Sequence, residues 1–391
     1  MLKKKVILLF IDWYVPGFKA GGPISSCVNL VDHLSDEFEF RIVTRNTDYT
    51  ELTPYPEIIP NCWSETPKGN YIYYFSNDRL NYNAISRLIS ETLFDVVYLN
   101  SLYSKYFTLI PLLCLRGRSD KKVVLATRGM LAKSALKVKR HKKKLFLKAV
   151  NLFGLFRNVV FHASTENEKA DILRELGANN QIMVAENLCP KVKIAKNLFR
   201  KKLPGSLKLI SIARIAPEKN LMYSLQLLGK MKSVMVQFDI FGPIYDVNYW
   251  KACQAIFADN APGITVNYCG SIEPVHVSSK LSEYHFLLLP TLGENFGHVI
   301  LQALSSGCPV IISDQTPWKQ LNSEKCGWCI PLSEQDSYVR VLTDCANMNQ
   351  QDFNEMSANA FQFANKYMIN SSAENDTRNL FRYAGSTSEI N

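Results

Sequence analysis

Short apolar runs rich in β-branched residues alternate with longer amphipathic stretches along the whole chain. Continuous apolar runs are typical of strands buried on both faces, and the stretches between them have the length of helices. Strands separated by helices favour doubly wound parallel sheets, so the pattern predicts an α/β fold. The predicted strands are Val6–Phe10, Phe40–Val43, Ile72–Phe75, Val96–Leu99, Val123–Ala126, Val159–Phe161, Ile182–Val184, Leu207–Ile212, Gln237–Phe241, Ile264–Tyr268, Phe286–Leu289 and Val310–Ile312.

A polar, basic stretch divides these strands into two groups. It runs over Lys191–Leu203 and is followed by Pro204-Gly205-Ser206, a combination that favours a turn. We therefore predict a first domain over residues 1–195 and a second over residues 196–368, each built on its own parallel sheet.

The composition agrees with two packed cores. The chain has 391 residues, and 47% of them are hydrophobic, which excludes a disordered chain. No apolar run approaches the roughly 20 residues that cross a bilayer, and the run after Lys3–Lys5 is too short for a leader. The ten cysteines are scattered, with one pair at Cys326 and Cys329, which indicates core thiols in a reducing cytoplasm.

The positive charge is concentrated in one segment. The net charge is +10, and residues 121–148 hold eleven Lys and Arg with no Asp or Glu. Such a segment fits an anionic membrane surface, a phosphate-bearing substrate or nucleic acid, and it equally fits a solvated helix face. No nucleic-acid-binding module accompanies it, so we do not expect a nucleic-acid partner.

Ligands of open parallel sheets bind beyond the carboxyl ends of the strands. Three loops there carry candidate ligand-binding residues. The first follows the first strand and contains Gly21 and Gly22, directly before Pro23. Paired glycines before a helix let backbone N–H groups approach an anion. A plain tight turn explains them equally well.

The second loop follows Leu207–Ile212 and carries Arg214 and Lys219, with Pro217 between them. An Arg fork and a Lys point charge at a strand-to-helix turn suit a diphosphate. Incidental charges on a surface turn remain the alternative.

The third loop follows Phe286–Leu289 and carries Glu294 just before a helix predicted to start near Gly297. The unpaired N–H groups of that helix end suit a phosphate, and a carboxylate accepts hydrogen bonds from sugar hydroxyls. The alternative makes Glu294 an ordinary loop carboxylate and Gln302 a residue of the helix surface.

The third loop resembles the signature of the retaining nucleotide-sugar glycosyltransferases of family 4. That signature is a Glu, seven residues and a second Glu with Gly-Phe-Gly between them, then a helix of small residues and Gly-x-Pro-Val-Ile. Glu294 to Gln302 occupies the first part, and Gly307-Cys308-Pro309-Val310-Ile311 the last. The other positions that resemble the family are Gly21, Gly22, Arg214, Lys219, Gly242 and Gly270.

The sequence departs from the family pattern at three places. Gln302 replaces the second Glu, which in the family is directed at the nucleotide ribose, so we expect altered nucleotide affinity and not lost chemistry. Asn295 replaces the first glycine of the signature. The turn Thr127-Arg128-Gly129-Met130 stands where many members carry an acceptor-side histidine, and it resembles the variant of surface-polysaccharide transferases.

The resemblance implies the GT-B architecture, in which two Rossmann-like domains face each other across a cleft. Residues 369–391 would form a helix and tail that cross back to the first domain. The acceptor would bind the first domain near Gly21, Gly22 and Arg128. The donor-binding residues of the second domain would be Arg214, Lys219, Asn295, Phe296, Gly297, His298 and Gln302.

The chemistry implied by the resemblance needs neither a cofactor nor a metal. The sequence has no Asp-x-Asp motif and no metal-ligand spacing among its six histidines. Positive charge for the leaving diphosphate would come from Arg214, Lys219 and the helix after Gly297, while Glu294 orients the sugar.

The expected function is transfer of a sugar from a nucleotide sugar to a glycan or polyprenyl-linked acceptor. Bacterial lipopolysaccharide O-antigen or capsule synthesis is the process that the resemblance implies. We expect a cytoplasmic protein peripherally bound to the anionic inner face of the membrane. Another nucleotide-sugar enzyme, such as an epimerase or hydrolase, or a non-catalytic nucleotide-sugar binder remains the alternative.

Overall fold

The computed structural model describes residues 3–118, 121–137, 140–191, 199–258 and 262–385. Contacts within the chain divide it into two units. Unit 1 comprises Met1–Lys191 together with Ser372–Asn391, and unit 2 comprises Val192–Ser371. The end of the chain therefore belongs to the same unit as its beginning.

Unit 1 contains an eight-stranded sheet. Its strands are β1 (Lys5–Phe10), β2 (Phe38–Arg45), β3 (Trp63–Glu65), β4 (Tyr71–Phe75), β5 (Val96–Asn100), β6 (Lys122–Ala126), β7 (Val159–Ala163) and β8 (Gln181–Val184). They lie in the order β3-β4-β2-β1-β5-β6-β7-β8, and only the edge strand β3 is antiparallel to its neighbour. The strand order reverses between β1 and β5, which makes this the switch point of the sheet.

Helices cover both faces of this sheet. Those before the domain boundary are α1 (Gly22–Leu34), α2 (Tyr82–Glu91), α3 (Ile110–Cys114), α4 (Lys133–Lys137), α5 (Arg140–Leu152) and α6 (Glu166–Leu176). A π-helical turn, Lys105–Leu109, precedes α3.

Unit 2 contains a six-stranded parallel sheet. Its strands are β9 (Ser206–Ile212), β10 (Met235–Phe241), β11 (Ile264–Tyr268), β12 (Phe286–Leu289), β13 (Val310–Ser313) and β14 (Gly327–Ile330). The order β11-β10-β9-β12-β13-β14 is that of the dinucleotide-binding fold, with its switch point between β9 and β12.

Four helices of unit 2 connect these strands, and two more follow β14. They are α7 (Leu221–Leu228), α8 (Val247–Ala258), α9 (Pro274–Leu281), α10 (His298–Ser305), α11 (Gln335–Asn347) and α12 (Gln350–Asn370). A 3₁₀ turn, Pro217–Lys219, precedes α7. The last helix, α13 (Ala373–Gly385), returns to unit 1.

Helix α13 completes the core of unit 1. The ring centroid of Phe381 lies 5.5 Å from that of Phe38 and 5.5 Å from that of Tyr98. At the rim, Arg378 donates to Glu37 at 3.0 Å, and His33 Nδ1 lies 2.6 Å from Glu374 Oε2. Aromatic burial and this ion cluster hold the helix against α1 and the sheet.

The predicted α/β fold with two Rossmann-like domains is confirmed, and each of the twelve predicted strands is present. The sequence did not predict β3 or β14. Strand β3 is three residues long and largely exposed, so it has no apolar pattern. Strand β14 contains Gly327, a residue type disfavoured in strands, and ends the sheet. Cys326 and Cys329 are unpaired thiols beside and within β14.

Candidate functional site

The loops that follow β9 and β12 are joined at the switch point of unit 2. Leu292 N donates to Glu218 O at 2.9 Å, and the Thr291 hydroxyl donates to the same carbonyl at 2.9 Å. Asn220 Nδ2 donates to Pro290 O at 3.0 Å. These bonds hold the two loops together, although they are about 70 residues apart in sequence.

This connection brings Lys219 and Glu294 together. The Lys219 ammonium donates to Glu294 Oε1, and the two side chains are only 17% and 16% exposed. Arg214 is on the same loop as Lys219 and is 35% exposed, with its guanidinium carbon 5.3 Å from the ring centroid of Tyr245. Its Nη2 lies 3.5 Å from Glu218 Oε1. Two cations and two carboxylates, Glu218 and Glu294, are therefore gathered at the edge where ligands of such sheets bind.

The backbone around Glu294 is held by the segment that follows β13. Glu294 N donates to Gln315 O at 2.9 Å, and Trp318 Nε1 donates to Phe296 O at 2.6 Å. The Ser313 hydroxyl donates to Thr291 O at 2.5 Å. These bonds fix the backbone position of Glu294. No local sequence pattern predicts them, because they join segments that are distant in the chain.

Gly297 is the N-cap of α10 and has a φ of 78°. This positive φ favours glycine, and a Cβ would in addition press on the end of the Ile300 side chain, 2.8 Å from Cδ1. The predicted start of a helix near Gly297 is confirmed. Beyond the C-terminus of α10, buried Arg200 donates to Gly307 O at 2.5 Å and to Ser282 O at 2.6 Å. These bonds hold the end of α10 next to the end of α9.

A second glycine permits the close approach of β10 to the Arg214 loop. A Cβ on Gly242 would lie 1.9 Å from Ala213 O, and its φ is 144°. Ile215 N donates to Pro243 O at 2.9 Å in the same place. Gly242 therefore acts through backbone contact and positions the loop that carries Arg214.

The other residues predicted to bind the donor have different surroundings. Phe296 is buried, with its ring centroid 5.7 Å from that of Trp318 and 4.9 Å from that of His298. Asn295, just before α10, and His298, its first residue, are half-buried. Gln302 is half-buried in the second turn of α10. Phe296 thus packs inside unit 2, and the polar candidates lie around it.

The glycine loop of unit 1 is a succession of turns before α1. Gly21 N donates to Phe18 O at 2.9 Å, and Gly21 has a φ of 70°. Asp48 accepts from the backbone N–H of Phe18 at 3.0 Å and of Lys19 at 3.2 Å. The N–H groups of Phe18, Lys19 and Gly21 are therefore already bonded within the protein, as in a tight turn.

Arg128 is directed at protein groups. Its φ is 51°, and its guanidinium donates to Asn100 Oδ1 at 2.6 Å, to Tyr98 OH at 2.8 Å and to Asn187 Oδ1. The turn around it is held by Glu168, which accepts from Gly129 N at 2.6 Å. Arg128 thereby joins the end of β5 to the segment that follows β8.

The Arg128 network continues to a buried histidine. The Tyr98 hydroxyl accepts from Arg128 and lies 2.8 Å from His162 Nδ1, while His162 Nε2 lies 2.8 Å from Ala185 O. The carbonyl requires a proton on Nε2, so Nδ1 accepts the Tyr98 hydroxyl proton and the ring is neutral. Burial and the nearby Arg128 charge lower the pKa of His162 to about 4.

Two further observations concern the described residues. Within them, no three His, Cys, Asp or Glu side chains converge as metal ligands. None of the helices in the described ranges has the length and apolar character that crossing a membrane requires.

Residues 194–363, which contain the joined loops, match the family model of glycosyl transferases group 1. A search of curated protein sequences finds no significant match to the chain.

Solved structures resemble the chain over nearly its whole length. HepE from Anabaena, in complex with UDP-glucose, is 14% identical, covers 97% of this chain and 99% of its own, and has a TM-score of 0.69. Sucrose-phosphate synthase from Thermosynechococcus elongatus is 14% identical. The match covers 97% of this chain and 100% of the synthase chain, with a TM-score of 0.63. The two Rossmann-like domains thus have the GT-B glycosyltransferase fold.

Proposed function

We propose that the protein is a retaining glycosyltransferase that moves a sugar from a nucleoside-diphosphate sugar to a hydroxyl of a glycan or lipid-linked acceptor. The observation that carries this proposal is the Lys219–Glu294 pair beside Arg214 at the switch point of unit 2. Two cations match a diphosphate, and one carboxylate matches sugar hydroxyls. UDP-glucose in the similar structure of Anabaena HepE supports a nucleotide-sugar donor.

The pairing of Lys219 with Glu294 suggests how the donor is received. A diphosphate competes for the Lys219 ammonium because it carries more negative charge than one carboxylate. Once Lys219 turns to the phosphates, Glu294 accepts hydrogen bonds from the hydroxyls of the transferred sugar. Arg214 contacts the same diphosphate from the opposite end of its loop, and Gln302 binds the nucleotide ribose.

The reaction breaks the bond between the anomeric carbon and the phosphate oxygen. Arg214, Lys219 and the N-terminus of α10 stabilise the charge that develops on the leaving diphosphate, so the scheme uses no divalent metal. The acceptor hydroxyl attacks from the same face, forms the new C–O bond and gives its proton to the departing phosphate. Attack on the leaving-group face retains the anomeric configuration.

We place the protein among family 4 hexosyltransferases of bacterial surface polysaccharide synthesis, such as that of O-antigen or capsule. This rests on the resemblance of the signature from Glu294 to Gln302 and of the turn at Arg128. Because Arg128 is bonded to Tyr98 and Asn100, its contribution to the acceptor side is to shape this turn.

We also propose that the protein is cytoplasmic and that α5 binds the anionic inner face of the membrane. Phe146, Leu147 and Val150 on this helix pack into the core of unit 1. Three other apolar side chains are outside the core: Leu145 is 71% exposed, Leu152 82% and Phe153, just beyond the helix, 57%. The exposed lysines near them are Lys142, Lys144 and Lys148. Exposed apolar and cationic side chains together suit a lipid surface.

The function is tested by screening UDP-, GDP- and ADP-sugars for a rise in melting temperature, then measuring turnover with and without a glycan acceptor. We expect one donor to bind and to be consumed only with acceptor, also in EDTA. Consumption without acceptor would favour an epimerase or hydrolase, and binding without turnover a sensor. A strict requirement for a divalent ion would contradict the metal-free scheme, and failure to bind any nucleotide would contradict the function.

A further inference from the structure

A second charged pair lies at the switch point of unit 1. Asp12 follows β1, and Arg45 is the last residue of the neighbouring strand β2. The Ser104 hydroxyl, beyond the end of β5, donates to Asp12 Oδ1 at 2.9 Å. Arg45 Nη2 lies 3.9 Å from the same oxygen, which is too far for a hydrogen bond.

Aromatic rings surround the guanidinium of Arg45. Its central carbon lies 5.4 Å from the ring centroid of Tyr106, 5.4 Å from that of Phe107 and 5.8 Å from that of Trp13. Arg45 Nε is buried and, among the described residues, has no hydrogen-bond partner. A buried guanidinium N–H without a partner costs free energy, so this arrangement needs an explanation beyond folding.

The chemistry of the pair selects a hydroxyl group over an anion. One hydroxyl between the two side chains can donate to the Asp12 carboxylate and accept from the Arg45 guanidinium. A phosphate would be attracted by the Arg45 guanidinium but repelled by the Asp12 carboxylate. Burial raises the pKa of Asp12 and lowers that of Arg45, so both side chains lack solvation that such a hydroxyl would supply. Phe107 is buried, whereas Trp13 and Tyr106 are half-buried and could meet the C–H face of a sugar ring.

We propose that Asp12 and Arg45 bind an uncharged sugar ring of the acceptor at the switch point of unit 1. The inference rests on the proposed function, because only a glycosyltransferase requires an acceptor here, and it names the acceptor class. The end that receives the new sugar is a neutral glycosyl residue and not a phosphate.

Saturation-transfer NMR on the full chain tests this with methyl glucoside, methyl galactoside, methyl mannoside and glucose 6-phosphate as probes. The variants are Asp12→Asn and Arg45→Lys. Arg41→Lys is the matched control, since Arg41 lies on the same strand, pairs with Glu39 and stacks 5.7 Å from the ring centroid of Tyr71. UDP binding is measured in parallel on every variant.

We expect at least one neutral glycoside to bind the wild type and Arg41→Lys. Its affinity should fall about 10- to 100-fold in Asp12→Asn and Arg45→Lys, as expected for lost hydrogen bonds to charged groups, with UDP affinity unchanged. Unchanged glycoside binding in both variants, no neutral glycoside bound by the wild type, or tighter binding of glucose 6-phosphate would overturn the proposal.

A further variant is needed where Asp12→Asn or Arg45→Lys fails to fold. If either variant melts well below the wild type, Ser104→Ala replaces it, because that change leaves Asp12 and Arg45 in place and removes the hydroxyl that orients Asp12. The same hydroxyl accepts from Phe107 N at 3.1 Å, so the melting temperature of Ser104→Ala is measured as well. Retained glycoside binding in Ser104→Ala would then count against the proposal. Failure of the proposed function is seen separately, as absence of nucleotide binding and turnover in a chain that still binds glycosides.

Discussion

At the scale of single residues, each switch point holds a carboxylate close to a cation. Lys219 donates to Glu294 in unit 2, and Arg45 stands 3.9 Å from Asp12 in unit 1. Lys219 and Glu294 can exchange their hydrogen bond for bonds to a ligand, whereas Arg45 and Asp12 are not bonded to each other and can each receive a ligand group. Because these polar groups are already largely removed from water, a ligand that binds them does not have to desolvate them.

This exchange predicts that substitutions of the two partners in unit 2 differ in their effect on UDP binding. Lys219→Ala should weaken UDP binding and lower turnover roughly 30- to 1000-fold, because a charge-assisted contact to the diphosphate is lost. Glu294→Gln should lower turnover strongly while UDP still binds, because Lys219 is released for the diphosphate. Calorimetric UDP titration and steady-state turnover give both quantities.

The exposed Lys208→Ala on β9 is the control and should change neither quantity. Gln302→Glu, which restores the acid of the family signature, should be tolerated. The assignment of roles would be reversed if Glu294→Gln lost UDP binding while turnover per bound donor stayed normal.

At the scale of secondary structure elements, α5 separates its apolar residues into two sets. Lys143 belongs with the inward set, because its ammonium donates to Ala135 O at 2.6 Å and lies 5.3 Å from the ring centroid of Tyr103. A charge change at Lys143 would therefore disturb the fold of unit 1, whereas changes at the exposed lysines of the helix test its surface.

Reversing charge at Lys142, Lys144 and Lys148 to Glu should lower affinity for phosphatidylglycerol vesicles by about 100-fold or more, given about 1 kcal/mol for each Lys. Wild-type binding should weaken with salt, since the Debye length is only about 10 Å at 0.1 M. Vesicle co-sedimentation measures this. The matched triple change at Lys230, Lys232 and Lys251, exposed in unit 2, should have little effect.

Binding of the wild type to neutral phosphatidylcholine vesicles as strongly as to anionic ones would contradict this role for α5. So would unchanged binding of the α5 variant. The exposed Leu145, Leu152 and Phe153 would then need a partner other than an anionic lipid surface.

The sequence was sufficient to predict those elements whose residue pattern lies within one short segment. Buried parallel strands such as β1 and β12 are continuous apolar runs, and the start of α10 is marked by Gly297. The joined loops of unit 2 could also be expected, because both follow strands at a switch point. The Asp12–Arg45 pair could not, because its partners are separated by many residues and neither has a local motif.

At the scale of the whole molecule, each unit depends on one buried neutral histidine. His162 lies in unit 1, and His285 lies in unit 2 directly before β12. His285 Nδ1 accepts from Lys208 N at 3.0 Å, and its Nε2 lies 3.0 Å from Lys201 O. A backbone N–H cannot accept, so protonation of Nδ1 would break this bond, and burial lowers the pKa of His285 to about 4.

Stability should therefore fall as the pH drops from 6.5 towards 4. The unfolded chain binds a proton on each histidine near pH 6.5, while the folded chain does so only near pH 4, so acid favours unfolding. At pH 5 the loss should be roughly 2 kcal/mol for each histidine. Urea unfolding at pH 7.5 and 5.0 measures it.

Replacing His285→Gln should lower stability at pH 7.5 but reduce the loss between pH 7.5 and 5.0. The exposed His276 provides the control, and His276→Gln should leave that loss unchanged. An equal acid loss in wild type and His285→Gln would show that other groups cause it.

The return of α13 to unit 1 has a consequence for how the protein is made. Phe38, Phe40 and Tyr98 are translated early, but Phe381, which covers them, follows only after the whole of residues 192–371. A growing chain thus carries an open aromatic strip on its first sheet throughout synthesis of the second unit. We expect this nascent chain to need shielding by a chaperone until its last helix leaves the ribosome.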